Sequence, residues 1–420
     1  MNVNANLLIY FHWPTVNAPT IMEHINAFKK YSKFYVHPVN VNYGFPKKLN
    51  KIKFNVITLH YSLFGIYPFK LNEEFKSYLK KQVQAKIISF HQDEYYFCKE
   101  RFRLINEINI DTVFTLLDTK YHDEVYKKNS NVKNVKNTLT GYVDDSLIQR
   151  SINLHLNNDE RKIDFGYRAR PLPFFMGKGA QEKTNIAIQF NKRLNKSNFI
   201  LDIKTKEEDR IYGDDWHVFI SNCKAMIGVE AGVSIFDLKG EVKILCEKFL
   251  KSNPNSSFNN IYEKILKKYE DNIFYRTISP RVFECAAFKT CMILFEGKYN
   301  GIIQPNIHYI PLKKDFSNFE EVILKFQDLN FRKKLIENAY NDLIKNNKYS
   351  YKSFINQFDN YLIENSVIFN IKSEEISIIK KLINSDNLIR KMIWARKQFI
   401  PILKSKIPFK KSIKKILKIK

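Results

Sequence analysis

The chain runs to 420 residues, 44% of them apolar, which is too long for one ordinary core and too apolar for a disordered protein. Its formal charge of +26 favours polyanions: phosphorylated small molecules, anionic lipid or nucleic acid. Five cysteines (Cys98, Cys223, Cys246, Cys285 and Cys291) stand at irregular spacings without a CxxC pair, which predicts reduced core thiols and argues against a disulfide framework or a zinc knuckle.

In chain order, Asn6 to Phe11 (NLLIYF) reads as a buried strand and Met22 to Tyr31 as a helix. Strand-like runs recur at Phe34–Val41, Val56–His60, Ala85–Phe90 and Thr112–Leu117, with Thr138–Val143 as a further candidate. Helix-period segments lie between them. This alternation predicts a parallel sheet covered by helices on both faces, with ligands at the carboxyl ends of its strands. His12, His60 and His91 through Tyr95 fall at those ends, so His12, Asp93 and Glu94 are candidate catalytic residues.

The polar stretch NLHLNNDERK, 153–162, reads as a linker, and the alternation then restarts. Lys162–Tyr167, Phe199–Ile203, Ala225–Val229 and Cys291–Phe295 are expected strands, and Gln181–Leu194 a helix. Ser234 to Thr277 has the character of a helical insertion. Ser317 and Glu320 form the pattern of a capping box before a helix to Phe326. Helices are expected at Phe331–Asn346 and Lys352–Asn365. The fold class that follows is α/β, two Rossmann-like doubly wound domains with a basic helical tail. The expected boundaries are 1–155, 160–348, a closing helix over 349–366 and a tail over 367–420.

Three segments carry the candidate chemistry. In DFGYRARPLPFFMGKGAQEK, 164–183, Arg168 and Arg170 follow a strand, Gly177 and Gly179 lie in a loop, and Lys183 is expected to open the next helix. Two guanidiniums beside a helix N-terminus suit a pyrophosphate. In CKAMIGVEAGVSIFD, 223–237, a strand runs into Glu230, and Gly232 and Ser234 permit close backbone approach to a ligand. In SPRVFECAAFKT, 279–290, Pro280 opens a short helix carrying Arg281 and Glu284, a carboxylate suited to two ribose hydroxyls.

At these segments the sequence resembles the GT-B glycosyltransferases whose C-terminal domain is of the "glycosyl transferases group 1" kind. The resemblance covers about residues 160–365. It implies a donor diphosphate held by Arg168, Arg170 and Lys183, and a donor ribose held by Glu284. Where the family often has two glutamates with seven residues between them, the position eight before Glu284 is Arg276; Glu230 is then expected to supply the first acid, across the inserted segment. Lys289 stands where the family usually has Gly. The implied partners are a nucleotide-sugar and a saccharide or lipid-linked acceptor, with no essential metal or other cofactor. Surface polysaccharide synthesis in the cytoplasm is the implied setting. A nucleic-acid-binding protein and an inactive sugar-binding relative are the alternatives, although no RRM, KH, helix-turn-helix or zinc signature is present.

The tail holds half of the net charge: from Lys380 onward fourteen basic residues face one acid, Asp386. Interleaved Ile, Leu, Phe and Trp394 make it an expected interfacial segment, broken into pieces by Pro401 and Pro408. No basic region leading into a long apolar run opens the chain, and no stretch approaches a spanning helix, so membrane contact is expected to be peripheral.

Overall fold

The computed structural model of the protein describes residues 5–13, 19–365 and 373–406. Two all-parallel sheets organise it. The first contains β1 (Asn6–Phe11), β2 (Tyr35–Asn40), β3 (Val56–Leu59), β4 (Lys86–Phe90), β5 (Thr112–Thr115) and β6 (Asn134–Asn137), in the order β2-β1-β3-β4-β5-β6. Helices α1 (Pro19–Tyr31), α2 (Glu73–Lys80) and α3 (Cys98–Glu107) connect its strands, and α4 (Asp145–Asn153) leads out. All six residues of β1 are buried, the reason its sequence is a continuous apolar run without alternation.

The second sheet has the order β13-β12-β9-β7-β8. It is laid down by β7 (Ile163–Arg168), α5 (Lys178–Leu194), β8 (Leu201–Lys204), α6 (Asp214–Asn222) and β9 (Cys223–Gly228). An inserted unit follows: β10 (Ala231–Val233), α7 (Val242–Ser252), α8 (Phe258–Ile261) and β11 (Tyr275–Thr277). Then come α9 (Pro280–Ala287), β12 (Cys291–Phe295), β13 (Ile310–Leu312), α10 (Phe319–Gln327) and α11 (Leu329–Tyr340). The fold class expected from the sequence is the one observed. All five cysteines are free and buried.

The chain then returns. Helix α12 (Tyr351–Glu364) seats Phe354, Phe358 and Leu362 against Phe28, Phe90 and Phe114 of the first sheet's layer. Each phenylalanine so buried contributes about 2 kcal/mol. The insertion ties the halves together a second time. Its base is the antiparallel pair β10–β11, where Gly232 has φ +88° and a Cβ would lie 2.1 Å from the Tyr275 carbonyl oxygen. Its apolar residues Phe236, Ile261 and Leu266 join one core with Tyr95, Phe102 and Phe175.

Several expectations need correction. Residues 138–143 are not a strand: the sixth strand lies four residues earlier, a polar, half-exposed edge (NVKN) that carries no apolar run to read. The 138–143 segment crosses between domains instead, with Gln92 donating to the Thr140 carbonyl (3.1 Å) and the Thr140 hydroxyl donating to the Ile278 carbonyl (2.6 Å). No capping box opens α10. Asn318, its N-cap, spends its side chain closing the preceding loop, and the Ser317 amide donates to Asp315 (2.9 Å). Among the described residues the tail is one helix, α13 (Ser373–Lys406), which runs through Pro401 where a break was expected; Pro408 lies outside the described residues.

Candidate active site

In each sheet the order reverses beside the first strand, and that switch point opens a crevice at the strand ends. In the first sheet it falls between β1 and β3, next to His12 and His60; in the second, between β7 and β9, next to Arg168–Arg170 and Glu230. Between the two domains lies a cavity of about 430 Å³, lined by Thr20 and Glu23 of α1 and by Arg170, Trp216, Arg281 and Glu284 of the second domain.

Helix α9 begins as its sequence predicts. Ser279 caps it by accepting from the Arg281 amide (3.3 Å), and Pro280 occupies the first position. One turn later Glu284 accepts a bond from the Trp216 indole N–H (2.8 Å), and burial raises its carboxyl above the ordinary value. The Arg281 guanidinium lies 5.4 Å from the Tyr167 ring centroid and 5.1 Å from that of Trp216, and donates to the Arg168 carbonyl (2.9 Å). Arg170 emerges just past β7 into the cavity.

Lys183 does not open α5. The helix starts five residues earlier, at Lys178, and Lys183 sits in its second turn. Burial lowers its amine to about 8, helped by Arg281, Arg170 and Arg276, while Asp93 pulls the other way. Asp93 comes from the opposite domain, on a left-handed turn after β4 (φ +50°). Crowding in the cleft raises its carboxyl, opposed by Lys183, Arg101, a bond from Tyr95, and Arg170. Lys183 and Arg170 thus face the Asp93 carboxylate, with Arg281 close to Lys183, a cationic surplus that a diphosphate would neutralise.

The amides at the α5 N-terminus are already used. The insertion lays Ser234 and Glu270 over them: the Gly179 amide donates to the Ser234 hydroxyl (2.8 Å), and the Lys178 amide to both Glu270 oxygens (3.3 Å each). A Cβ on Gly177 would lie 2.4 Å from the Ser234 oxygen, so the space is filled. The expected pyrophosphate seat at this helix end is therefore corrected: the insertion occupies it, and the available cations are side chains.

Other expected residues are committed elsewhere. Arg168 is the last residue of β7 and turns inward; its guanidinium donates to Asp202 Oδ2 (2.8 Å) and to the Asp202 and Tyr167 carbonyls (2.7 and 2.9 Å). Glu230 is buried and accepts from the Lys298 and Tyr299 amides (3.0 and 2.8 Å), fixing the loop after β12. Arg276, at the position eight before Glu284, pairs with Glu182 at 2.6 Å, and Lys314 reaches the other Glu182 oxygen at 2.8 Å. Glu94 is sealed under the cleft, accepting from Thr115, the Leu116 amide and the Tyr275 hydroxyl. His12 is half-buried and its ring is held neutral by burial and Lys70. His60 bonds His24 (2.9 Å) and His91 bonds Tyr126 (2.8 Å), both enclosed.

Glu23 was not singled out from the sequence, because nothing in IMEHINAF marks which face of α1 meets the other domain. Burial, Asp144 and Glu284 raise its carboxyl to about 7. A carboxyl raised on folding costs stability as it ionises, so the cost is absent below about pH 4.5 and complete above about 7. Glu23→Gln is expected to match the parent chain at pH 4 and to exceed it by about 2 kcal/mol at pH 8, read by urea unfolding. Equal stability at both pH values would contradict this.

Comparison with known proteins gives likeness of chain path at low identity. An alpha-glucosyltransferase solved with UDP-glucose and DNA containing an abasic site is 12% identical with a TM-score of 0.46, covering 86% of this chain and 99% of that one. HepE of Anabaena with UDP-glucose is 8% identical with a TM-score of 0.48, covering 86% and 100%. A glycosyltransferase of Rickettsia africae is 11% identical with a TM-score of 0.47, again covering 86% and 100%. No protein-family model matches the chain, and no curated protein matches it.

Proposed function

We propose that the chain is a glycosyltransferase moving a hexosyl group from a nucleoside-diphosphate sugar to a saccharide or lipid-linked acceptor, in cytoplasmic glycan synthesis. The observation that carries this is the cavity between the two domains. Arg170 and Arg281 line it, with the Lys183 amine close enough to both to feel their charge, while Glu284 and Trp216 offer a ribose acceptor and an aromatic wall. The acceptor oxygen forms a bond to the sugar's anomeric carbon as the bond to the diphosphate breaks. The leaving diphosphate gathers negative charge, and the three cations stabilise it most when that charge is fully developed. The acceptor's proton passes to a cleft-facing base. Asp93 suits this role better than His12, because it faces the cations that would hold the leaving diphosphate. Glu94 and Glu230, both enclosed, serve as positioning residues.

These cations supply the charge that a divalent ion would otherwise bring, so we propose metal-independent turnover. A chelator is expected to leave the rate unchanged, and loss of activity restored by a divalent ion would refute that point. The wider test is thermal stabilisation by UDP-, GDP-, CMP- and dTDP-linked sugars. A shift with one nucleotide, lost in Glu284→Ala, is the expected result; no shift with any of them defeats the reading. Binding without turnover on any acceptor would favour an inactive sugar-binding relative.

A further inference from the structure

Helix α13 lies along the first sheet's β2 edge with one face turned inward. Ile376 and Ile383 are buried there, Asn387 donates to the Pro38 carbonyl (3.3 Å), Arg390 reaches the Gly44 carbonyl, and Trp394 meets Tyr43 with ring centroids 5.6 Å apart. These contacts follow β2 from its start towards its carboxyl end, since Lys380 covers the Tyr35 ring and Trp394 the turn past Asn40. The helix therefore travels towards the carboxyl edge of the sheet. At 34 residues it is roughly 50 Å long, and more than a quarter of it follows Trp394.

Its opposite face is unusual. At 100° per residue, Ile378, Lys381, Leu388, Ile389, Met392 and Arg396 fall on the side away from the sheet. Ile378, Leu388, Ile389 and Met392 are 59%, 61%, 52% and 64% exposed. A helix held by one face has no folding reason to carry four large apolar residues on the other. The flanks are cationic: Lys380, Lys381, Lys391 and Arg396 are exposed, and nine more basic residues follow Arg396 in the sequence. Among the described residues no helix is long and apolar enough to cross a membrane.

We infer that the outer face of α13 docks on an anionic lipid surface, with Ile378, Leu388, Ile389 and Met392 entering the interface and the flanking cations meeting the headgroups. Charge complementarity selects a polyanion, and the apolar stripe selects a bilayer over nucleic acid, whose phosphates offer nothing to Leu388 or Met392. The inference stands apart from the donor chemistry. Its consequence is that the carboxyl edge of the first sheet, where an acceptor would enter, is held beside the membrane.

The test is sedimentation of the full chain with phosphatidylcholine vesicles, with and without phosphatidylglycerol. Binding to the anionic vesicles alone is expected. Lys381→Gln with Arg396→Gln should weaken it about 30-fold, and Leu388→Ser with Met392→Ser at least about tenfold, with unfolding curves unchanged because all four side chains are exposed. No sedimentation, or equal binding to neutral vesicles, overturns the inference. So does a concentration-dependent dimer that the Leu388→Ser and Met392→Ser variant abolishes, which would make a second copy the occupant. Salt-sensitive nucleic-acid binding that the apolar variant retains, with vesicles left unbound, overturns it as well.

Discussion

Arg168→Ala is expected to lower the unfolding free energy by about 3 kcal/mol, read by urea denaturation. The guanidinium is nearly enclosed, with its centre 4.3 Å from the Phe219 ring centroid, and it satisfies Asp202 Oδ2 and two backbone carbonyls at once. Removing it strands all three. Loss of one partner from a buried pair costs about 3–5 kcal/mol, and the lower end applies because the Asp202 side chain keeps 28% of its surface in solvent. Arg168→Lys should recover only part of the loss, since one ammonium cannot copy a planar fork serving three acceptors. Arg168 therefore joins β7 to β8 at the floor of the cavity. Unchanged stability with nucleotide binding abolished would instead make it a ligand of the donor.

That division between Arg168 and Arg170 marks how much of the site the sequence could convey. Buried parallel strands are written as apolar runs, so β1 and β12 were legible to the residue, and the start of α9 was legible through Pro280, which suits a first helical position. The switch-point logic also placed Arg170, Asp93 and Glu284 at strand or helix ends facing a cleft. What the sequence could not convey is direction. Two arginines two residues apart in extended chain look alike, yet one turns to Asp202 and the other to the cavity. The partner that decides this is 34 residues away. The edge strand β6 was missed for a related reason, because a half-exposed edge needs no apolar run. The occupied α5 N-terminus was missed because Ser234 and Glu270, which fill it, reach it only once the insertion folds back on β10 and β11.

Arg170→Ala is expected to weaken binding of the cognate nucleoside diphosphate by up to about 100-fold, measured by calorimetry, while the free nucleoside binds as before. Arg170 lines the cavity beside Lys183 and Arg281, so its loss should fall on phosphate contacts and spare the fold. The pH dependence separates its neighbour's part. The Lys183 amine lies near 8 without ligand, so above that pH the empty site loses a charge. A bound diphosphate favours the ammonium and raises that value. Affinity should therefore be flat for Lys183 well below pH 8 and fall as pH rises through and beyond it, with proton uptake accompanying binding in that range. Lys183→Met should bind more weakly at pH 7 and lose this step. The Glu23 carboxyl, near 7, adds a separate decline centred one unit lower, which Glu23→Gln should remove while leaving the Lys183 step in place. Two steps removed one at a time by these two variants would place both groups against the same anion; a single profile insensitive to either variant would put the diphosphate elsewhere in the cleft.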